Sequence, residues 1–269
     1  MCVINNIKRL TFEKDNTCID CVVFGKGRKT LVMLPGLSFQ RVKKAALPLA
    51  FMYRIFSKEY TVYVIDKKET VPDGYTVREI ADDDAFVIEK LGLCEADVLG
   101  ISQGGMAAQY LAIDYPHLVR RLVLGVTASR RNEVMENAVN GWTEMAERHD
   151  YEAIAADMLG KMYSDSYIKK YGRFFPLISK VFKPKPEDFV RFTALAKACL
   201  TCDSYPELGK IACPVFVIGG RQDRIVTGGA SEEIAAALGC EIHMYDDLGH
   251  SAYEEAPDFN ERIYQFLSE

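Results

Sequence analysis

The stretch that decides the reading is DVLGISQGGMAAQY, residues 97–110. An apolar run, Asp97 to Ile101, leads into Gly100-Ile101-Ser102-Gln103-Gly104, and an Ala-rich stretch with helical character follows. The pattern G-x-S-x-G at a strand-to-helix junction is the setting of a nucleophile elbow, a tight turn that lifts a serine hydroxyl clear of the sheet. Flanking glycines avoid clashes in such a turn. The first N–H groups of the following helix carry partial positive charge and favour a developing anion. The competing reading is a Gly-rich turn with an idle serine, because so short a motif also arises by chance. The rest of the chain has to decide.

On either side of this stretch, short apolar runs alternate with helical patterns. CIDCVVFG (18–25) and TLVMLPG (30–36) flank the Gly-containing segment KGRK and read as a hairpin. TVYVID (61–66), DVLGI (97–101) and LVLGVTA (122–128) are continuous apolar runs, the signature of parallel strands buried on both faces. Helical patterns lie between them at 40–57, 77–92 and 103–115, the last stopped by Pro116. Alternation of this kind predicts an α/β domain with a mostly parallel sheet. From 129 to 210 no strand pattern occurs. Helices are expected at 133–148, 151–163, 167–182 and 186–200, rich in aromatic residues and methionine, from Trp142 to Phe192. Strand patterns resume at CPVFVIGG (213–220) and EIHMYD (241–246), with helices expected at 228–238 and 256–267.

A serine needs a base, and the base an orienting acid. After an elbow serine the matching chain order is serine, then an acid, then histidine. His117 and His149 sit in or beside helices and His243 lies within a strand pattern, whereas His250 falls in a loop just after the last strand. Asp223 falls a few residues beyond the strand at 213–220. Asp246 and Asp247 are rival acids, but they stand very close to His250 in the chain.

At this point the chain resembles the α/β-hydrolase superfamily, in particular its capped esterases, lactonases and C–C hydrolases. VLGISQGGMAAQYLAIDYPHLVRRLVL resembles the elbow, its helix and the next strand. CPVFVIGGRQDRIV resembles the acid loop, and DLGHSAYEEAPDFNERIYQFL the histidine loop and last helix. The resemblance implies an α/β-hydrolase core over 1–128 and 211–269, with helices on both faces of the sheet. It implies a helical cap over 129–210, inserted after the sixth strand. It further implies a triad of Ser102, Asp223 and His250, with an oxyanion hole formed by the backbone N–H groups of Gln103 and Leu37. Two departures stand out. The loop that commonly reads His-Gly-x is Pro35-Gly36-Leu37 here, which puts its usual anchoring in question. DKKETVPDGYT (66–76) replaces the common Asp-x-x-Gly-x-Gly-x-Ser loop.

The expected activity is cleavage of a small to medium, partly hydrophobic carboxylic ester through an acyl-enzyme. A lactone, thioester, amide or C–C bond between carbonyls would suit the same residues, and a ligand-binding member of the fold without activity is the alternative from another class. Serine in place of aspartate at 102 argues against dehalogenase and epoxide hydrolase chemistry. Of the aromatic and Met-rich side chains in 129–210, most are expected to pack as core and some to line the pocket.

The 269 residues are 49% hydrophobic and 26% charged, an ordinary globular composition. The formal net charge of −5 argues against a nucleic-acid partner. The polar N-terminal stretch lacks a signal-peptide pattern, and no apolar run reaches the roughly 18 residues of a membrane helix, so a soluble cytoplasmic protein is expected. Monomer and homodimer are left open. The eight cysteines include two CxxC pairs, Cys18/Cys21 and Cys199/Cys202. The pairs lie far more than the roughly 15–20 residues apart that a zinc ribbon uses, so reduced thiols and no metal are expected. GKGRKT (25–30) lacks phosphate-loop spacing, and neither GxGxxG nor HExxH occurs. No cofactor is expected.

Overall fold

A computed structural model of the protein describes residues 6–175 and 183–269. Residues 1–5 of the polar N-terminal stretch lie outside the described residues. So do 176–182, the end of the helix expected over 167–182, with Pro176 and Phe182.

The apolar runs do form strands: β2 (Thr17–Gly25), β3 (Lys29–Leu34), β4 (Tyr60–Ile65), β5 (Ala96–Ile101), β6 (Val119–Gly125), β7 (Val215–Gly220) and β8 (Glu241–Tyr245). With β1 (Lys8–Lys14) they make one eight-stranded sheet in the order β1-β2-β4-β3-β5-β6-β7-β8. From β4 to β8 all neighbours are parallel, while β1 and β2 add an antiparallel margin. Successive residues of a strand point to opposite faces. Val32 and Val98 join one buried cluster, Leu31 and Leu99 the other, so both faces are covered. This is why the runs read as continuous rather than alternating.

The expected hairpin between 18–25 and 30–36 does not form. β2 pairs antiparallel with β4, from Cys21 opposite Ile65 to Gly25 opposite Thr61, and β4 separates β2 from β3. The connection crosses the start of β4 instead of turning back. Lys26 N–H donates to Ser57 O at 3.2 Å and Lys29 N–H to Glu59 O at 3.1 Å. Gly27 lies so close to this strand start that a Cβ would fall 1.7 Å from the Glu59 carbonyl carbon. β3, with Leu31 to Leu34 all buried, needs a neighbour on each side, and β4 and β5 supply them. The real hairpin is β1–β2, whose turn residues Asp15 and Asn16 have φ of 52° and 59°. Two consecutive positive φ values mark a type I′ turn, and Asp and Asn tolerate them well. β1 was not anticipated because it is a half-exposed edge strand with charged residues at both ends.

The helices are α1 (Ala46–Met52), α2 (Val77–Lys90), α3 (Gln103–Asp114), α4 (Glu133–Glu147), α5 (Tyr151–Met162), α6 (Asp165–Tyr171), α7 (Pro186–Cys199), α8 (Gly228–Leu238), α9 (Ala252–Glu255) and α10 (Phe259–Ser268). The helix expected over 40–57 is confined to α1 and a 3-10 turn at Phe56–Lys58. The terminal helix expected over 256–267 starts after Pro257, as α10, and the short α9 that ends at Glu255 was not expected. α2, α3 and α8 contribute to one buried cluster, and α1 and α10 to the other. Between β6 and β7 the described residues form α4 to α7 and 3-10 turns, with an isolated bridge of Arg130 to Asp203. Trp142, Phe189 and Phe192 of this insertion are buried, and Phe192 stacks on Phe39 of the body at 4.0 Å between ring centres. Tyr171 and Phe174 are exposed. No helix among the described residues is long and apolar enough to cross a membrane.

α3 is buried along nearly its whole length and packs tightly on β3. A Cβ on Gly104 would lie 1.9 Å from the carbonyl oxygen of Leu34, a backbone atom that cannot swing aside. Gly104→Ala is therefore expected to lower unfolding stability in urea by about 2–3 kcal/mol through forced separation of α3 and β3. Wild-type stability would contradict this packing.

Candidate active site

Ser102 ends β5 and begins α3 with φ 53° and ψ −120°, a left-handed backbone conformation that is strained for any residue with a Cβ. The surroundings hold it there. Ser102 N–H donates to Gly125 O of β6 at 2.9 Å. Its carbonyl accepts from Gly105 N–H at 2.8 Å, Met106 N–H at 3.0 Å and the Thr127 hydroxyl at 2.7 Å. A Cβ on Gly100 would lie 2.6 Å from Gly104 O, so the glycines of the motif are demanded by close backbone approach.

The three residues singled out in the sequence come together. His250 Nε2 lies 2.9 Å from Ser102 Oγ, and His250 Nδ1 lies 2.7 Å from Asp223 Oδ2. Asp223 Oδ1 accepts from the N–H groups of Ile225 at 2.8 Å and Val226 at 3.0 Å, which locks the carboxylate. A carboxylate at Nδ1 assigns the ring proton to that nitrogen and leaves Nε2 as acceptor for the serine hydroxyl. The side chains of Asp223 and His250 are 2% and 5% exposed. The acid and histidine loops pack backbone to backbone: a Cβ on Gly220 would meet Leu248 O and Gly249 O at 2.4 Å. Ser251 N–H, beside the histidine, donates to Met162 O at the end of α5 at 2.8 Å, tying this loop to the insertion. The rival residues lie elsewhere. Asp246 pairs with Arg221 at 2.6 Å and Asp247 is exposed, while His149 packs on Phe189 and His243 on Tyr245.

Ser102 and His250 open into a pocket lined by Gly36, Leu37, Met106, Met135, Val139, Trp142, Met158, Met162, Cys199, Ile225, Val226 and Tyr253. Gln103 is the first residue of α3, and the N–H at such a position has no acceptor within its helix. Its side chain is engaged elsewhere, donating to Leu195 O at 2.5 Å and lying 3.2 Å from Cys199 Sγ. Gly36 sits against the serine: a Cβ there would be 3.3 Å from Ser102 Cβ and 3.8 Å from Oγ.

A sequence profile described as alpha/beta hydrolase fold matches residues 58–257. The chain belongs to this family. A 2-hydroxy-6-oxononadienedioate/2-hydroxy-6-oxononatrienedioate hydrolase from a Pseudomonas species is 26% identical over 192 residues, which cover 68% of this chain and 66% of that protein. 3-Oxoadipate enol-lactonase 2 of Acinetobacter baylyi is 23% identical over 177 residues, covering 64% of this chain and 65% of the relative. These alignments span just under two thirds of the relatives' length. The crystal structure of an alpha/beta hydrolase enzyme from a Medee basin deep-sea metagenome library superimposes with a TM-score of 0.88. It covers 97% of this chain and 98% of its own at 19% identity, and so shares the fold.

The two departures from the common α/β-hydrolase pattern meet in space. Lys67, from the altered loop after β4, is buried, and its ammonium donates to Pro35 O and, at 3.0 Å, to Gly36 O. Asp66 beside it accepts from Lys67 N–H at 2.8 Å, Val42 N–H at 3.0 Å and Arg191 Nη2 at 2.9 Å. Arg191, on α7 of the insertion, also donates to Lys68 O at 2.9 Å and Lys67 O at 3.2 Å. Burial pulls the Lys67 ammonium down to about 8, although the carboxylates of Asp66 and Asp84 oppose that shift. Sequence reading missed both cations. Consecutive charges in DKK look like an exposed loop, and Arg191 sits in a helix that is otherwise ordinary. The only signal was the departure itself. Among the described residues no group of three or more His, Cys, Asp or Glu side chains is placed to hold a metal ion.

The backbone strain at Ser102 is measurable. Ser102→Gly, which removes the Cβ, is expected to be more stable than Ser102→Ala by about 1 kcal/mol in urea or thermal unfolding. Equal stability would mean that position 102 carries no strain.

Proposed function

We propose that the protein is a serine hydrolase that cleaves a neutral, partly hydrophobic carboxylic ester through an acyl-enzyme. The observation that carries this reading is the continuous hydrogen-bonded chain Asp223–His250–Ser102 at the floor of an apolar pocket. Ser102 Oγ attacks the acyl carbon while His250 Nε2 takes the hydroxyl proton. Asp223, facing Nδ1, keeps the imidazole in the required tautomer and stabilises its charged form. The tetrahedral oxyanion is received by the N–H groups of Gln103 and Leu37. His250 returns the proton to the leaving alkoxide, and a water activated by the same histidine then hydrolyses the acyl-enzyme. Residues 1–128 and 211–269 form the catalytic core and 129–210 a cap whose side chains close the pocket.

Substrate class is argued from the wall. Met135, Val139, Trp142, Met158 and Met162 offer apolar, adaptable surface. Among the described residues that line this pocket and the adjoining cleft of Phe39, Tyr151 and Glu254 there is no lysine or arginine to receive a carboxylate. That disfavours a dianion like the dienedioate for which the Pseudomonas relative is named. A neutral lactone is the second reading. It is a cyclic ester open to the same attack; the Acinetobacter relative, named a 3-oxoadipate enol-lactonase, supports the lactone chemistry but not the neutral charge.

A fluorophosphonate probe is expected to label the wild type and not Ser102→Ala. p-Nitrophenyl butyrate should be turned over with kcat/KM at least about tenfold above that for the p-nitrophenyl hemisuccinate, which carries a charge into an apolar pocket. His250→Ala should lower kcat by at least about a thousandfold. No labelling, with no turnover of short esters or lactones, would defeat the hydrolase reading. A preference for the hemisuccinate would defeat the substrate class alone.

A further inference from the structure

The loop Pro35-Gly36-Leu37 has to present an N–H toward the acyl oxygen, yet it lacks the histidine that commonly anchors it. Lys67 contacts this loop through two carbonyl oxygens, Pro35 O and Gly36 O. The Gly36 carbonyl and the Leu37 N–H belong to one peptide unit. No cis peptide occurs among the described residues, so C=O and N–H of this unit point in opposite directions. A cation that holds the Gly36 oxygen on its own side therefore turns the Leu37 N–H away from itself, and polarises the unit so that the N–H is a stronger donor.

We propose that Lys67 is a positioning residue, which fixes and polarises the Gly36–Leu37 peptide so that the Leu37 N–H serves the oxyanion. The proposal deepens the hydrolase reading and rests on it. Lys67 is not among the residues that line the pocket of Ser102 and His250, and it acts through the loop backbone. Nothing about the ammonium suggests a merely solvated charge: it is buried, and its partners are backbone carbonyls of the site loop. The groups that face it are Asp66 after β4, Asp84 on α2, and Arg191 and Cys199 on α7. Asp66 supplies countercharge that lets a cation remain there; Asp84, whose carboxyl burial pushes well above its ordinary range, adds to it when ionised, while Arg191 opposes it. Arg191 holds Lys67 by its backbone carbonyl, so the insertion also fixes where the lysine starts from.

The test compares kcat and KM for p-nitrophenyl butyrate in wild type, Lys67→Met, Lys67→Arg and Ser102→Ala, with a melting curve for each. Lys67→Met should lower kcat by between about tenfold and a thousandfold, because the donor it misplaces belongs to the oxyanion hole. KM should move by no more than roughly threefold, since the loss falls on the transition state. Lys67→Arg, which keeps a charged donor, should recover part of the rate. Should Lys67→Met not fold, Lys67→Met/Asp84→Asn replaces it, removing the buried acid group left without its partner. The pH profile is a second readout. Wild-type kcat should fall as pH rises through about 8, where the ammonium loses its proton, and Lys67→Arg should lack this limb. Wild-type kcat in a folded variant without the lysine, a loss confined to KM, or an unchanged alkaline limb in Lys67→Arg overturns the proposal. A wild type that neither reacts with fluorophosphonate nor cleaves esters overturns instead the hydrolase reading beneath it.

Discussion

The contact on which the site depends is the one between Gly104 and the carbonyl of Leu34, where helix α3 meets strand β3 with no room for a single carbon. That approach places the start of α3 beside the end of β3, and two consequences follow. The chain leaving β5 must reverse within one residue, which forces Ser102 into its left-handed conformation. The loop after β3, Pro35 to Leu37, is brought against the serine, where a Cβ on Gly36 would lie 3.3 Å from Ser102 Cβ. Similar close contacts at Gly220, against Leu248 and Gly249, bring the acid loop onto the histidine loop. Strand ends in direct backbone contact leave the side chains they carry less freedom than loops packed through flexible side chains do.

Around this apolar framework runs a buried network of charge. Asp66 gathers Val42, Lys67 and Arg191, while Arg41 reaches Asp66 at 3.7 Å and Asp20 at 2.7 Å. Burying ions is costly, and a buried ion pair contributes little net stability compared with an apolar contact of the same shape. What it supplies is geometry. Arg191 is the point where the insertion grips the altered loop after β4, and that loop in turn grips Pro35 and Gly36. The stack of Phe192 on Phe39 supplies apolar contact between the same two parts. Apolar packing holds the parts together and the charged groups set their register.

Much of this arrangement was legible beforehand. The central parallel strands declared themselves because β5, β6 and β7 are buried on both faces along most of their length, and continuous apolar runs such as LVLGVTA have few other uses. The elbow and the loops of Asp223 and His250 were legible because strained turns and strand ends restrict residue type and order. Pairing was less legible. KGRK resembles a turn, and nothing local shows that β4, more than 30 residues later, will slip between β2 and β3. β1 went unread because an edge strand half in water needs no apolar pattern, and its turn, Asp15-Asn16, is a weaker signal than one with glycine.

The sequence by itself determined the layered α/β architecture, the strained serine turn, and the order in which serine, acid and histidine arrive. Each depends on local restrictions: period of burial, backbone conformation, and position at the end of a strand. Only the tertiary structure decided which strands are neighbours, and that Lys67 and Arg191 point inward rather than into solvent. A charged side chain looks the same in a string of letters whether it ends in water or on a buried carbonyl. Its fate is set by partners distant in the chain, here Asp66, Gly36 and the insertion, and those partners exist together only once the fold has formed.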